Sequence, residues 1–517
     1  MNFPLARNMR KNVWLLSLSA LFTLFIPSAA FAACSSPAGV GGDVIFNSAG
    51  HVIQSCDGTS WKGWLRSIPG TWKDVKPGIF HICGIKADNT AFCWGRNGSG
   101  EIGNGTSGSN VLYPASVSGA GAWADVSTGG NNGSGIFSTC GIKMNGSLYC
   151  WGDNNFGQGG NSSTSAANAP RAVTFSGTWQ EVSVGDDFAC ALKSDNSVWC
   201  WGQNNHNQWG DGVNFGSWFW DAHAVASAGA KWKKVEASSN WGNGFACGLK
   251  NDDTAWCWGY NNRGQLGFSS SGTDSKGPVA VITTGVQTWK SISAGGNQSC
   301  GIKTDGTGWC WGGNDYGEIG VGVTGGTYTT PQAISVSGVT TWTDIVAGDS
   351  QTCGIKTDGT GWCWGYGQEG NNGDGAISDY NTPHEIQAGS KWKVLRPGWV
   401  VCGIKLDGSL WCWGENYNGA VGNGTTSQQN APTHVTGSSG TSCSSPSGTG
   451  GDLLFNSAYR VLQWCDGTQW NPAGPISPTG PLAGCVSPAG VAGDLLFNST
   501  AARHQYCDGD TWRGITP

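Results

Sequence analysis

The sequence predicts an all-β chain: a closed seven-bladed β-propeller flanked by small disulfide-stapled β-modules, one N-terminal and two C-terminal. Three observations predict it. A cysteine pair ten positions apart occurs seven times, at periods of 49 to 57 residues, and every copy ends in C-W-G. Upstream of each copy stands a Trp followed three residues later by Val, Ile or Leu, from Trp72/Val75 to Trp392/Leu395. A short P-x-x-V/I segment punctuates the units. Four short strand-like segments per ~50 residues, repeated in this way, bury their tryptophan faces when neighbours are joined into a ring of four-stranded blades.

The first element is a leader. Residues 1–32 have a basic start (Arg7, Arg10, Lys11), an apolar run from Val13 to Ile26 and an A-x-A ending at Ala30–Ala32, the pattern of a signal peptide. No later run has membrane length, so the mature chain is expected to be secreted, periplasmic or at the cell surface, with no membrane span. The 20 cysteines agree: none forms C-x-x-C, and in an exported chain they read as a disulfide framework. With 86 Gly, 30 Trp and only 12% charged residues, rigidity has to come from aromatic packing and staples. A net charge of -6 offers no field for nucleic acid.

Each C-W-G copy reads as a hairpin. In "CGIKTDGTGWCWG" (353–365), apolar runs flank a Thr-Asp-Gly turn. A two-residue loop would place the cysteines on opposite faces. A three-residue loop over Thr357–Gly359 pairs Cys353 with Cys363 on one face and lets the bond close. That register also sets Gly354 opposite Trp362, an aromatic covering a glycine. The same parity predicts Cys83–Cys93, Cys140–Cys150, Cys190–Cys200, Cys247–Cys257, Cys300–Cys310 and Cys402–Cys412.

The P-x-x-V/I segment precedes the Trp strand in copies two to seven, without its Pro at Ala222–Val225, but not in copy one, and a last one, Pro432–Val435, follows copy seven. The simplest expectation is a ring over residues 68–438, closed when 432–435 joins the first blade.

A hairpin ending in W-G and continuing as N-x-x-G-x-[LI]-G-x-G, as in "NDYGEIGVG" (314–322), resembles the repeats of the regulator-of-chromosome-condensation family. The resemblance extends over all seven copies, about 370 residues, and implies the seven-bladed propeller of that family. The cysteine pairs are not part of the nuclear family's pattern and look like an adaptation to export. The founding member's exchange of nucleotide on a small GTPase does not follow: that target lies inside the cell, and none of its exchange residues maps onto this chain. A secreted bacterial relative that inhibits β-lactamases through one face implies instead a protein-binding disc.

Outside the ring, "CSSPAGVGGDVIFNSAGHVIQSCDGTSW" (34–61) returns at 443–470 and 485–512, the last two joined by a linker at 471–484. Each copy is expected to be one small module with one bridge: Cys34–Cys56, Cys443–Cys465 and Cys485–Cys507.

Chemistry is sparse. No His position recurs in every copy, and no catalytic, metal or phosphate-loop motif occurs, so no catalytic residue, metal or cofactor is assigned. Function is sought where the repeat breaks, in "WGDGVNFGSWFWDAH" (209–223). Phe215, Trp218, Phe219 and Trp220, with Trp241, form the candidate ligand patch; Trp399 is a further candidate. The expected function is a non-catalytic binding or adhesion scaffold for a protein or glycan outside the cytoplasm. The alternative is a secreted enzyme or enzyme inhibitor working at the propeller face.

Overall fold

The structure, a computed structural model, describes residues 71–435 apart from 132, 134, 214–218, 227, 228, 239–243 and 336–340, together with the strands of the flanking segments. Residues 71–435 form seven four-stranded antiparallel blades. In blade six the strands are Trp342–Ala347, Gln351–Lys356, Gly361–Gly365 and Tyr380–Glu385, paired in chain order from the channel outward.

The hairpin has the expected register. Cys353 pairs with Cys363 and Gly354 with Trp362, and the equivalent disulfide closes in all seven blades. The turn closes itself: Asp358 accepts hydrogen bonds from the Thr360 amide (2.8 Å) and hydroxyl (2.6 Å), and the Trp362 indole donates to that hydroxyl at 2.9 Å. One expectation is corrected. The ring lying over Gly354 is not Trp362 but Trp342 of the inner strand, 2.7 Å from where a Cβ would stand. An inner-strand bulge just after each such Trp accompanies this close approach.

Blades are stitched by the C-W-G tryptophan. The Trp364 indole donates to the Glu318 carbonyl of blade five at 3.0 Å, and the same bond recurs around the ring, as at Trp258 to Gln208 (2.9 Å) and Trp413 to Asn371 (2.8 Å). This explains the N-x-x-G-x-[LI]-G loop. Its Asn holds the loop by accepting from the amide five residues on, as Asn314 does from Ile319 at 3.1 Å. Its final Gly has φ near +75° at Gly320 and lies 2.7 Å, measured from an added Cβ, from the Trp364 indole nitrogen, so only glycine fits. Blade six has Gly367 in place of the Asn; the amide of Asn372, five residues later, fills the vacated space and donates to Ser378 O at 2.8 Å.

Ring closure differs from the expectation. Residues 432–435 do not join the first blade: Gln429–His434 pairs with Leu410–Gly414 inside blade seven. Blade one is complete with Val111–Ser116 as its outer strand. The reason is that each outer strand pairs with its own hairpin while the aliphatic residue at its end packs on the next blade. Val435 thus lies among Trp72, Val75 and Trp94 of blade one. The seam is further held by Trp94 donating to Ala420 O (2.8 Å) and by Trp72 N donating to Gly408 O (2.9 Å).

The backbone of each flanking segment carries a short meander, such as Val44–Asn47, Val52–Cys56 and Trp61–Gly63. The bridges expected at Cys34–Cys56, Cys443–Cys465 and Cys485–Cys507 lie outside the described side chains, and residues 1–32 lie outside the described residues.

Candidate functional site: the channel and the loop-bearing face

Inner strands leave one edge unpaired toward the central channel, a cavity of about 340 Å³. Their free amides need partners, and in blades two, three and five side chains two or four residues after the inner Trp supply partners to the blade that follows. Asp125 and Ser127 accept from Val182 N and Val184 N, both at 3.0 Å; Ser183 accepts from Ala237 N at 2.8 Å, and Ser293 from Ala347 N at 3.1 Å.

The charges among these positions pair. Lys234 lies between Glu181 (3.1 Å) and Glu236 (2.6 Å), and Arg396 donates to Asp344 at 2.7 Å while standing 4.0 Å from Asp74. Burial would lift the Asp74 carboxyl, but Lys76 and Arg396 outweigh it and hold it low. Asp125 is the exception: burial pushes it up to about 6 despite Lys76 and the Val182 amide. Among the described residues no three His, Cys, Asp or Glu side chains converge as a metal site.

The connections from inner to second strand and from third to outer strand open on one face of the disc. They carry thirteen carboxylates against two cations, Arg96 and Arg263. Aromatic rings stand among them. Trp399 lies edge-on to Phe80 at 5.8 Å and donates its indole N–H to Asp349 at 2.9 Å; Tyr316 and Tyr366 meet at 5.1 Å across blades five and six.

The opposite face is built differently. The lysine that ends each second strand folds back over two aromatic rings of its own blade, as Lys356 does over Trp362 (3.7 Å) and Trp342 (5.8 Å). Lys303 is buried and donates to Thr284 O at 2.7 Å. These lysines serve packing.

Of the patch expected from sequence, Phe219 and Trp220 open the outer strand of blade three, Phe219 opposite Gly202. Phe215, Trp218 and Trp241 lie outside the described residues. Trp399 is where a ligand could meet it, on the channel rim. The channel charges and the acidic face escaped sequence reasoning. A signal existed: the second residue after each inner Trp runs Asp, Asp, Glu, Lys, Ser, Asp, Val around the ring, varying where its neighbours repeat.

A pH dependence follows from three raised carboxyls. Burial pushes Glu318 and Glu415 up to about 7, beside Asp125 at about 6. The folded chain therefore keeps protons that the unfolded chain, with carboxyl values near 4, has released. The three carboxyls make stability fall as pH rises from about 4 through 7, and they outweigh the buried imidazole of opposite sign, His81, which burial holds down at about 3. The thermal midpoint should be higher at pH 5.5 than at pH 8, and Glu318→Gln should flatten the difference. A midpoint that rises with pH would contradict it.

The fold and this face define a disulfide-stapled seven-bladed repeat propeller. Regulator of chromosome condensation (RCC1) repeat models match at residues 72–101, 123–158, 179–208, 233–265 and 289–318, and a second at 145–192, 252–302 and 407–447; the chain belongs to the RCC1-like repeat family. The ultraviolet-B receptor UVR8 of Arabidopsis thaliana is 27% identical over 146 residues, 28% of this chain and 33% of that protein. The X-linked retinitis pigmentosa GTPase regulator of Mus musculus is 30% identical over 135 residues, 26% of this chain and 13% of that protein. The chain thus spans a third or less of these relatives' length. Among solved structures, human WBSCR16 superimposes with a TM-score of 0.60 at 18% identity, covering 67% of this chain and 94% of that one. Yeast RCC1 (Prp20), crystallised with Kap60 bound, gives 0.57 at 18% identity over 71% and 86% of the two chains.

Proposed function

We propose that the chain is an exported, non-catalytic scaffold that binds a protein or glycan through its loop-bearing face. One observation carries this. The residues repeated in every blade are used inside the ring, whereas the side chains on the loop-bearing face change from blade to blade and combine aromatic rings with carboxylates. Such a surface is free to be specific. Export is supported by the leader at 1–32 and by the disulfide in each blade, which suits an oxidising compartment. The yeast RCC1 complex with Kap60 supports protein binding by a propeller protein of this class.

The test is a glycan and surface-protein array probed with the mature chain and three variants. Trp399→Ala with Tyr316→Ala and Tyr366→Ala should weaken a ligand at least tenfold; Lys391→Gln with Lys393→Gln, on the opposite face, should not. Serine at Phe215, Trp218, Phe219 and Trp220 asks whether the blade-three insertion contributes. Ligands indifferent to both aromatic variants would sink the proposal.

A further inference from the structure

The seam between blades six and seven on the loop-bearing face holds acceptors without donors. Glu415 follows the C-W-G of blade seven, and its amide donates to Trp399 O at 3.2 Å. The side chain is buried, 7% exposed, and its Oε2 has no hydrogen-bond partner. Asn371 of blade six, 3% exposed, donates its amide N–H to the same Trp399 carbonyl at 2.9 Å, while its Oδ1 is likewise without a partner. Glu369 stands near enough for its charge to act on Glu415, and both carboxylates act on the half-buried Tyr366. Among the described residues neither Glu369 nor Glu415 forms an ion pair.

Buried acceptors left unpaired are costly, a carboxylate most of all. What completes them is a group with several N–H donors, a positive charge and no acceptor, which is a guanidinium or an ammonium. The partly exposed rings of Trp399 and Tyr366 add a surface on which a planar cation can stack. With two carboxylates and one amide, the corner lacks the three titratable ligands of a metal site. The ring's own ends leave from the opposite face, where Trp72 N is bonded to Gly408 O and Val435 N to Leu410 O, both at 2.9 Å.

We propose that this corner captures an arginine or lysine side chain from a basic segment of a partner protein. It deepens the binding function above and rests on it. Above about pH 7, where Glu318 and Glu415 have also lost their protons, the thirteen-to-two excess of carboxylates on the face supplies long-range attraction for such a segment.

The experiment uses the mature, disulfide-intact chain and a labelled nona-arginine peptide, with nona-glutamate as control, followed by fluorescence anisotropy. Nona-arginine should bind, weaken with added salt, and lose at least tenfold in affinity with Glu369→Gln plus Glu415→Gln. Glu369→Gln alone, at a partly exposed position, should give part of the loss and guards against a folding defect. Unchanged affinity in the double variant, or equal binding of nona-glutamate, overturns the proposal. A concentration-dependent rise in sedimenting mass that the double variant abolishes would also overturn it, by giving the corner to a second copy of this chain. If array ligands are lost by the Trp399/Tyr316/Tyr366 variant but kept by the glutamine pair, the binding face stands and this corner falls. If neither variant affects any ligand, both fall.

Discussion

Trp364→Ala is expected to destabilise the propeller by about 3–5 kcal/mol, the cost of truncating a large buried aromatic. The side chain is fully buried, packs on Trp342 with ring centroids 5.8 Å apart, and donates to Glu318 O. Its removal opens a cavity between two blades and takes one of two donors from the Glu318 carbonyl, which keeps the Thr352 hydroxyl at 2.8 Å. Trp364→Phe keeps much of the volume and loses the N–H, so it should cost roughly 1–3 kcal/mol. Urea unfolding midpoints of the three proteins separate packing from hydrogen bonding. Equal losses in both variants would mean that the lost volume adds nothing to the lost hydrogen bond, and no loss in the phenylalanine variant would mean that the hydrogen bond contributes nothing. A loss below about 1 kcal/mol in the alanine variant would mean that the blades are not held by this indole.

Cys353→Ser with Cys363→Ser should cost about 2.8 kcal/mol, the chain entropy of so short a loop. Reduction of all seven bridges should be far more damaging, though the losses are not additive. The cysteine sulfurs of the ring are buried, so a small thiol should not reach them while the blades are folded. Thiol trapping is expected to find the native ring unreduced by dithiothreitol, fully reduced in denaturant, and unable to regain its circular dichroism when denaturant is removed under reducing conditions. Rapid reduction of the native protein would show that blades open individually, and the staples would then guard local rather than global stability.

Much of the ring was legible because hairpin parity is a local matter. Once Cys353 and Cys363 must meet on one face, the loop length and the Gly354–Trp362 register follow. Blade phase was not. A repeating string has no beginning, so whether Pro432–Val435 closes its own blade or the first depends on which strand its backbone meets. Val435 misleads, since its side chain packs on one blade and its strand pairs in another. The covering of Gly354 by Trp342 was hidden for a similar reason: strand order across a blade, not spacing along the chain, brings that ring over the glycine. The fate of Lys356 depends on the same stacking of tryptophans. The acidic face needs the strand directions of all seven blades before its carboxylates can be added together, which no window of sequence displays.

Because every blade is a contiguous stretch of chain, the join between the last and the first is an ordinary inter-blade contact made by Trp94, Val435 and Gly408. The ring has no clasp. In rings that share a closing blade, the ends of the gene are fixed by the strand that must come home. Here the place where the chain starts is arbitrary. The coding sequence could be opened at any connection between an outer strand and the next inner Trp, the old ends spliced, and the same disc would result. A duplicated or deleted unit would likewise leave no strand orphaned. Evolution can therefore rewrite one sector of the disc, face residues included, without renegotiating how the circle is shut.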